Sequence, residues 1–251
     1  MKKLFLIGIL IVLGSFAFVS FNKKDQPKNN LLKGFVLIQL FTSQGCSSCP
    51  PADHLIDKVT QEYDFQNVYT LEYHVDYWDR LGWKDPFSKK EFTDKQYEYA
   101  KKFSSRSVYT PQAVINGKEH FTGSNEMKMT TAINKYLAES NNAEISISKV
   151  AYSDNSVDVS FSTKELPLNF KIYFALTIEE RVTPIYRGEN SGKALKNNSI
   201  VVNEKEWNIK EGKVNLEIPV WVNSKDKLNI IAYASNEKEE IIAATKSAVE
   251  R

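Results

Sequence analysis

Two cysteines separated by two serines are the residues of this chain best suited to chemistry. Cys46 and Cys49 are the only cysteines among its 251 residues. They lie between an apolar stretch that predicts a β-strand and an amphipathic stretch that predicts an α-helix. The positive end of a helix dipole stabilises a thiolate at the helix N-terminus. The pair therefore predicts a thiol–disulfide exchange site, with Cys46 as the exposed nucleophile and Cys49, turned inward, as the resolving thiol.

Two other roles of the cysteine pair stay open. One is a plain stabilising disulfide, although closing so short a loop stabilises a fold by only about 2 kcal/mol. The other is a zinc or copper site in which His74 or His120 completes the ligand set. The chain has three histidines, and none has ligand spacing to another. The sequence therefore assigns no metal ligand, and it implies no organic cofactor.

The patterns around the cysteines predict a βαβ unit. The segment 35–41 is almost wholly apolar, as in a strand that is covered on both faces. Apolar residues then recur at helical spacing as far as Tyr63. Pro50 and Pro51 are compatible only with the first turn of that helix. The segment 68–74 predicts a second strand, parallel to the first.

Two further helices and a hairpin complete the first half of the chain. The apolar spacing predicts helices over 88–103 and 124–138. Between them, Asn116-Gly117 is a strong two-residue hairpin turn. The strand that returns from this turn is predicted over 118–122.

A proline precedes the hairpin. We predict that the Thr110–Pro111 peptide bond is cis, although only about 5–6% of such bonds are. In folds where a CxxC motif begins the helix of such a βαβ unit, a cis-proline lies opposite the cysteines. The backbone of Thr110 would then hold an extended substrate strand beside Cys46.

The pattern changes near Asn141-Asn142, which predicts a domain boundary. Beyond it, apolar and polar residues alternate along several short segments, as in half-buried strands. No convincing helix follows residue 140. We predict about seven antiparallel strands arranged as a β-sandwich.

The N-terminus predicts export. Residues 1–21 combine Lys2 and Lys3 with a long apolar stretch, as in a secretory signal peptide. A retained membrane anchor is the alternative, although the stretch is shorter than the roughly 20 residues of a spanning helix. Residues 22–33 are polar and predict a linker. In either case we expect a periplasmic or secreted protein in a compartment where disulfides persist.

An aromatic and acidic loop follows the second strand. His74 and Asp76 lie at the carboxyl end of that strand, where open α/β sheets place their sites. They are candidates for a proton relay to the cysteines. A hydrogen-bonded pair that merely orders the loop is the alternative. Tyr77, Trp78 and Trp83 could form an apolar ledge for substrate, or could pack in the core beneath the loop.

Several motifs together resemble the bacterial family known as domain of unknown function 1223 (DUF1223). The resemblance extends over residues 35–245. It implies a thioredoxin-like superfamily fold, a β-rich C-terminal part and export, but no settled activity. The motifs that carry it are Phe41–Asp53, Tyr73–Asp79, Leu81–Phe87, Val108–Gln112, Asn116-Gly117 and Arg187–Asn190.

The chain also departs from thioredoxins at two positions. Gly45 stands where they have a tryptophan before the first cysteine. Leu40 stands where they have a buried aspartate that accepts a proton. Gln39 and Asp53 are nearby but are not equivalents, so proton handling must come from other residues.

The sequence therefore predicts an α/β plus all-β protein. A thioredoxin-like domain over 34–140 precedes an antiparallel β-sandwich-like domain over 143–248. The predicted function is that of an exported thiol–disulfide oxidoreductase acting on thiols or disulfides of cell-envelope proteins. The alternatives are a non-enzymatic binding module with a structural disulfide, and a copper or zinc carrier.

The net charge of +2 and the lack of a basic stripe argue against nucleic acid as a partner. No oligomeric state is assigned. The role of Arg187–Gly192, either docked on the first domain or a solvated turn, stays open.

Overall fold

The computed structural model describes residues 34–63 and 66–251. The predicted signal peptide or anchor, 1–21, and the predicted linker, 22–33, lie outside the described residues. Within the described part of the chain, no helix is both long and apolar enough to cross a membrane.

The first half alternates strands and helices, as the hydrophobic periodicity predicts. Pro50 and Pro51 occupy the first turn of the first helix, where their missing N–H groups cost no hydrogen bond. A 3₁₀ helix follows the second strand. The elements in chain order are β1 (Val36–Thr42), α1 (Pro50–Glu62), β2 (Val68–His74), the 3₁₀ helix (Asp76–Leu81), α2 (Lys90–Lys102), β3 (Gln112–Ile115), β4 (Glu119–Thr122) and α3 (Glu126–Ala138).

Seven strands make up the second half, and none of the described residues after α3 is helical. The longest two, β7 and β8, form an antiparallel hairpin with a β-bulge. The strands are β5 (Glu144–Ser153), β6 (Ser156–Lys164), β7 (Phe170–Pro184), β8 (Ala194–Trp207), β9 (Glu211–Glu217), β10 (Leu228–Asn236) and β11 (Ile241–Val249).

One mixed sheet contains strands from both halves. Its order is β11-β10-β7-β8-β2-β1-β3-β4. The two halves join where β2 pairs in parallel with β8, at Glu72 and Ile200. The change from α/β to all-β structure occurs near Asn141-Asn142, but the sheet continues across that boundary. The described residues form one compact unit, which differs from the predicted pair of domains because the C-terminal strands extend the N-terminal sheet.

Three apolar cores hold the layers together. Helices α1 and α3 pack on one face of β1 and β3, around Ile38 and Met129. Helix α2 packs on the opposite face, around Phe41 and Phe92. The separate sheet β5-β6-β9 packs on the C-terminal strands of the large sheet, around Phe174. This last layer is sandwich-like, as predicted, but its larger sheet is shared with the first half of the chain.

Contacts at two places, around Glu204 and at the hairpin turn, tie distant segments together. The Glu204 carboxylate on β8 accepts hydrogen bonds from Tyr73 at 2.6 Å and Tyr233 at 2.7 Å, and pairs with Lys95 of α2 at 2.6 Å. The hairpin turn meets the loop after β10: Gly117 has φ +62°, and a Cβ there would lie 2.4 Å from the carbonyl oxygen of Glu239. Only glycine fits both that φ and that approach.

Candidate functional site

The two cysteines form a disulfide at the start of α1. Cys49 is the N-cap residue of the helix, and Cys46 lies in the turn that precedes it. The turn is closed by hydrogen bonds from Cys46 N to Ser43 O at 3.1 Å and from Cys49 N to Cys46 O at 3.2 Å. The CxxC pair therefore lies at the helix N-terminus, as the proline positions predict.

The expectation that Cys46 is exposed is wrong for this structure. Neither Cys46 nor Cys49 has any exposed surface. The exposed part of the motif consists of Ser47 and Ser48, and the Ser48 hydroxyl lies 3.3 Å from Cys46 Sγ. A reagent can therefore reach the disulfide only if the surrounding residues move.

Thr110 contacts the sulfur of Cys46 from the opposite side. Its hydroxyl donates to Cys46 Sγ at 3.3 Å, and its carbonyl oxygen lies 4.0 Å from the same atom. Trp78 Nε1 in turn donates to the Thr110 hydroxyl at 2.8 Å. The Thr110–Pro111 bond is cis. The structure thus brings together Cys46, Cys49, Thr110 and Pro111, as predicted.

A cluster of buried ionisable side chains lies beside the cysteine turn. His74 Nδ1 lies 2.7 Å from Asp85 Oδ2, which also accepts a hydrogen bond from the backbone N–H of Gln44 at 2.7 Å. Asp53, in the first turn of α1, accepts a hydrogen bond from the Thr42 hydroxyl at 2.7 Å. All these side chains are at most 2% exposed, so the cluster is shielded from solvent.

Glu72 extends the cluster towards β8. Its Oε2 lies 3.8 Å from His74 Nε2 and accepts a hydrogen bond from the backbone N–H of Asn198 at 3.1 Å. Asp53 Oδ2, Glu72 Oε1 and His74 Nε2 have no hydrogen-bond partner among the described residues. Three carboxyl groups and one imidazole therefore share a low-dielectric space in which not every group can be charged at low cost.

The protonation of the cluster follows from burial and mutual charge. Burial and the charge of Glu72 raise the pKa of Asp53 well above its usual value. Burial likewise raises the pKa of Glu72, partly offset by the charge of the neighbouring His74. Burial acts to lower the pKa of His74, but the charge and hydrogen bond of Asp85 and the charge of Glu72 together outweigh it and raise the pKa to about 10. In all three groups the environment therefore favours the protonated form more than water does.

The connection between β7 and β8, residues 185–193, covers the cysteine turn, and we call it the cap. Asn190, which is fully buried, donates through Nδ2 to the carbonyl oxygens of Gln44 at 3.0 Å and Cys46 at 2.9 Å. Lys193 Nζ donates to Asn190 Oδ1 at 2.9 Å. The Arg187–Gly192 segment, whose role the sequence left open, thus docks on the CxxC turn.

A second cap residue contacts the exposed edge of the turn. The exposed carboxylate of Glu189 accepts a hydrogen bond from the backbone N–H of Ser47 at 3.1 Å. Hydrogen bonds from Ser47 lower the pKa of Glu189. The negative charge of Glu189 therefore lies next to Ser47, the residue that follows Cys46.

His74 and Asp76, the two candidates for a proton relay, do not form the hydrogen-bonded pair that was the alternative. Asp76 instead accepts a hydrogen bond from the Thr93 hydroxyl at 2.5 Å, which ties the 3₁₀ helix to α2. His74 pairs with Asp85, eleven residues along the chain. Asp76 thus orders the loop, while His74 belongs to the buried cluster.

The three aromatic residues of the predicted ledge are half-buried. The Tyr77 hydroxyl donates to Gln96 at 3.2 Å, and Trp83 Nε1 donates to Gln44 Oε1 at 3.3 Å. Trp78 supports Thr110, as described above. Each polar group of these rings is bonded within the protein, which favours a packing role.

The two histidines considered as metal ligands have other partners. His74 is bound to Asp85, and His120 Nδ1 lies 3.0 Å from the Tyr109 hydroxyl. Across residues 34–63 and 66–251, no three His, Cys, Asp or Glu side chains converge to hold a metal ion. The donor arrangement therefore does not favour the copper or zinc carrier.

Sequence reasoning set Asp53 aside, missed Glu72 and Asp85, and did not identify Asn190 as the residue that covers the cysteine turn. Glu72 gave a signal, because a glutamate in the middle of a buried strand needs a partner. Asn190 lies 144 residues from Cys46, and no local pattern indicates that contact.

Comparison with known proteins agrees with the motifs around this site. A family profile described as "Protein of unknown function (DUF1223)" matches residues 37–234. The chain belongs to the DUF1223 family. No curated protein matches this DUF1223 chain.

Two solved structures are similar over most of the DUF1223 chain. One is protein AGR_C_4864 of Agrobacterium tumefaciens, with 27% identity, a TM-score of 0.62, and coverage of 85% of this chain and 93% of that one. The other is HBP35 of Porphyromonas gingivalis, with 14% identity, a TM-score of 0.59, and coverage of 87% and 76%. At that identity the second likeness concerns the fold alone.

Proposed function

We propose that this DUF1223 protein is an exported thiol–disulfide oxidoreductase, acting on thiols or disulfides of cell-envelope proteins through a thioredoxin-like N-terminal half. The observation that carries the proposal is the Cys46–Cys49 disulfide at the N-terminus of α1, with Thr110 against Cys46 Sγ. A disulfide that closes so short a loop contributes little to stability, whereas the same pair at a helix start favours thiolate chemistry.

The topology of the first half supports a thioredoxin-like assignment. Strands β1 and β2 are parallel, and β3 and β4 add to β1 as an antiparallel hairpin. Helices α1 and α3 cover one face, and α2 covers the other. This arrangement is similar to the thioredoxin fold, and the CxxC motif follows its first strand.

The proposed oxidising reaction has two exchange steps. A substrate thiolate attacks Cys46 Sγ, the bond between Cys46 and Cys49 breaks, and Cys49 leaves as a thiolate. A second substrate thiolate then attacks the substrate sulfur of the mixed disulfide, and Cys46 leaves as a thiolate. The substrate leaves as a disulfide, and both cysteines are reduced. The reverse sequence reduces a substrate disulfide.

The buried cluster would supply the proton that this chemistry needs. Asp53 lies one helical turn after Cys49, and its backbone N–H donates to the Cys49 carbonyl at 3.1 Å. Because burial and the charge of Glu72 raise the pKa of Asp53, this carboxyl is suited to carry a proton and to give it to a departing thiolate. The proton relay to the cysteines, for which His74 and Asp76 were the candidates, would then be formed by Asp53, Glu72, His74 and Asp85.

A second function is favoured by one observation. Cys46 and Cys49 are fully buried, as in an inert structural disulfide. In that reading the protein is a non-enzymatic binding module, and the β-rich half engages its partner. The two functions differ in how easily the disulfide is reduced.

The deciding measurement is the reduction potential of the disulfide, combined with the reactivity of the reduced protein towards a small disulfide. Exchange catalysts have potentials of about −120 to −270 mV, whereas structural disulfides lie below about −300 mV. We expect a value in the first range and loss of activity in Cys46→Ser. A potential below the second limit, with Cys46 unreactive after reduction, would refute the oxidoreductase and favour the binding module.

Export has its own test. In cells, residues 1–21 should direct the protein out of the cytoplasm, and deletion of residues 1–33 should keep it inside. Fractionation of the two forms, with the chain detected by antibody, measures this. A full-length protein found only in the cytoplasm would refute the envelope location but not the chemistry of the disulfide.

A further inference from the structure

The cap makes contacts that a solvated turn would not need. It reaches across from the hairpin of β7 and β8 and closes over the start of α1. Gly188 has φ +74°, and a Cβ there would lie 3.0 Å from Cβ of Trp83. The glycine therefore lets the cap backbone lie directly against the loop that follows the 3₁₀ helix.

Asn190 is the anchor of the cap. Its amide hydrogens satisfy the carbonyl oxygens of Gln44 and Cys46, and Lys193 satisfies its side-chain oxygen. A buried amide with these partners is costly to displace. The cap therefore has a defined closed position, and the backbone of Cys46 forms part of the surface on which it docks.

Glu189 is placed to sense the charge of Cys46. Its carboxylate accepts the N–H of Ser47, a donor at the start of α1 that would otherwise favour a thiolate. In the disulfide form Cys46 is uncharged, and the carboxylate holds this position without opposition. In the reduced form a thiolate at Cys46 repels the carboxylate and competes for the positive end of the helix.

We propose that residues 185–193 form a redox-dependent cap, which closes over the Cys46–Cys49 disulfide and is released when Cys46 becomes a thiolate. Glu189 and Asn190 are its positioning residues. The inference rests on the proposed function, because it assumes that the disulfide is reduced during the working cycle. A dithiol donor is oxidised to its own disulfide in that step, while Cys46 becomes a thiolate, Cys49 becomes a thiol and a proton is released.

Trypsin cleavage after Arg187, an exposed cap residue, reports the state of the cap. The reduced protein, prepared with dithiothreitol and freed from it, is compared with the oxidised protein by mass spectrometry of the Arg187–Gly188 cut. We expect cleavage about fivefold faster in the reduced form, the size expected for repulsion between two unit charges a few ångströms apart in a water-like medium. Equal rates in the two forms would overturn the proposal.

Three variants separate the charge from the anchor. Glu189→Gln keeps an acceptor for Ser47 but removes the charge, so the two redox forms should be cleaved at nearly equal rates. Asn190→Ala should raise cleavage in both forms. Glu217→Gln, which removes an exposed carboxylate on β9, is the matched control and should behave like the wild type. A Glu189→Gln variant that keeps the full difference would overturn the role of Glu189 as sensor.

The rate of disulfide reduction gives a second readout. With dithiothreitol at high salt, which screens long-range charge effects, Asn190→Ala should be reduced about tenfold faster than the wild type, because opening of the cap limits access to the sulfur. An unchanged rate would refute the access role. If Asn190→Ala is reduced faster, yet neither it nor the wild type exchanges with a protein disulfide, the cap stands and the proposed oxidoreductase fails.

Discussion

Replacement of Asp53 by asparagine should stabilise the protein at alkaline pH. The side chain is 2% exposed, Oδ1 accepts the Thr42 hydroxyl, and Oδ2 has no partner among the described residues. Asparagine keeps the acceptor and removes a carboxyl that, at alkaline pH, must be either charged or held protonated beside Glu72. A buried polar group left unsatisfied in this way costs about 1–3 kcal/mol. In a protein of this size that corresponds to a rise in melting temperature of about 2–12 °C.

The pH dependence follows from the direction of the pKa shift. Burial and the charge of Glu72 raise the pKa of Asp53 in the folded state. Above the unfolded pKa, the folded state therefore binds more protons than the unfolded state, and stability falls as pH rises. The gain from Asp53→Asn should be present at pH 8 and should vanish in acid, where the wild-type carboxyl is protonated in both states.

Urea unfolding of the oxidised protein at pH 5 and pH 8 measures the gain and its decrease towards acid pH. Asp57→Asn is the matched control, because Asp57 lies one turn further along α1 and pairs with Lys196 at 2.9 Å. Burial acts to raise the pKa of Asp57, but the bonds from Lys196 and Gln61 outweigh it and lower it. The control should therefore lose stability at pH 8. If Asp53→Asn is instead less stable at pH 8 than at pH 5, relative to wild type, the reasoning about the cluster is refuted.

Three further predictions concern other contacts. Because the pKa of His74 is raised to about 10, the imidazolium stabilises the folded protein fully below pH 6.5, and this stabilisation is lost as the pH rises towards 10. In His74→Gln the free energy of unfolding, measured by circular dichroism, should decline less over that pH range. Glu204→Gln should lower the free energy of unfolding by about 3 kcal/mol, because it leaves the Lys95 ammonium without a charged partner; chemical denaturation checks this, and no change would contradict it. Gly117→Ala should lower the melting temperature by several degrees through its approach to Glu239, and an unchanged value would show that the turn can shift.

The elements of the first half were predictable because their signals are local. Apolar runs and proline positions define β1 and the start of α1, and Asn116-Gly117 defines the hairpin turn. Each of these depends on residues close together in sequence. The placement of Cys46 at the start of a helix followed from the same signals.

The burial of Cys46 and the join between the two halves were not predictable in this way. The cap residue Asn190 approaches Cys46 from 144 residues away. The pairing of β2 with β8 involves a single pair of residues, Glu72 and Ile200. Alternating strand patterns do not specify which distant strand becomes a neighbour.

The distance along the chain between the cap and the cysteine turn that it covers has a consequence for biogenesis. Ser47 emerges from a ribosome 142 residues before Glu189, on the order of ten seconds at ordinary elongation rates. Until residues 185–193 dock, the cysteine turn has no cover, and the two thiols of the folding chain are open to any oxidant of the compartment they have reached. The disulfide is therefore expected to form most readily before the cap is in place.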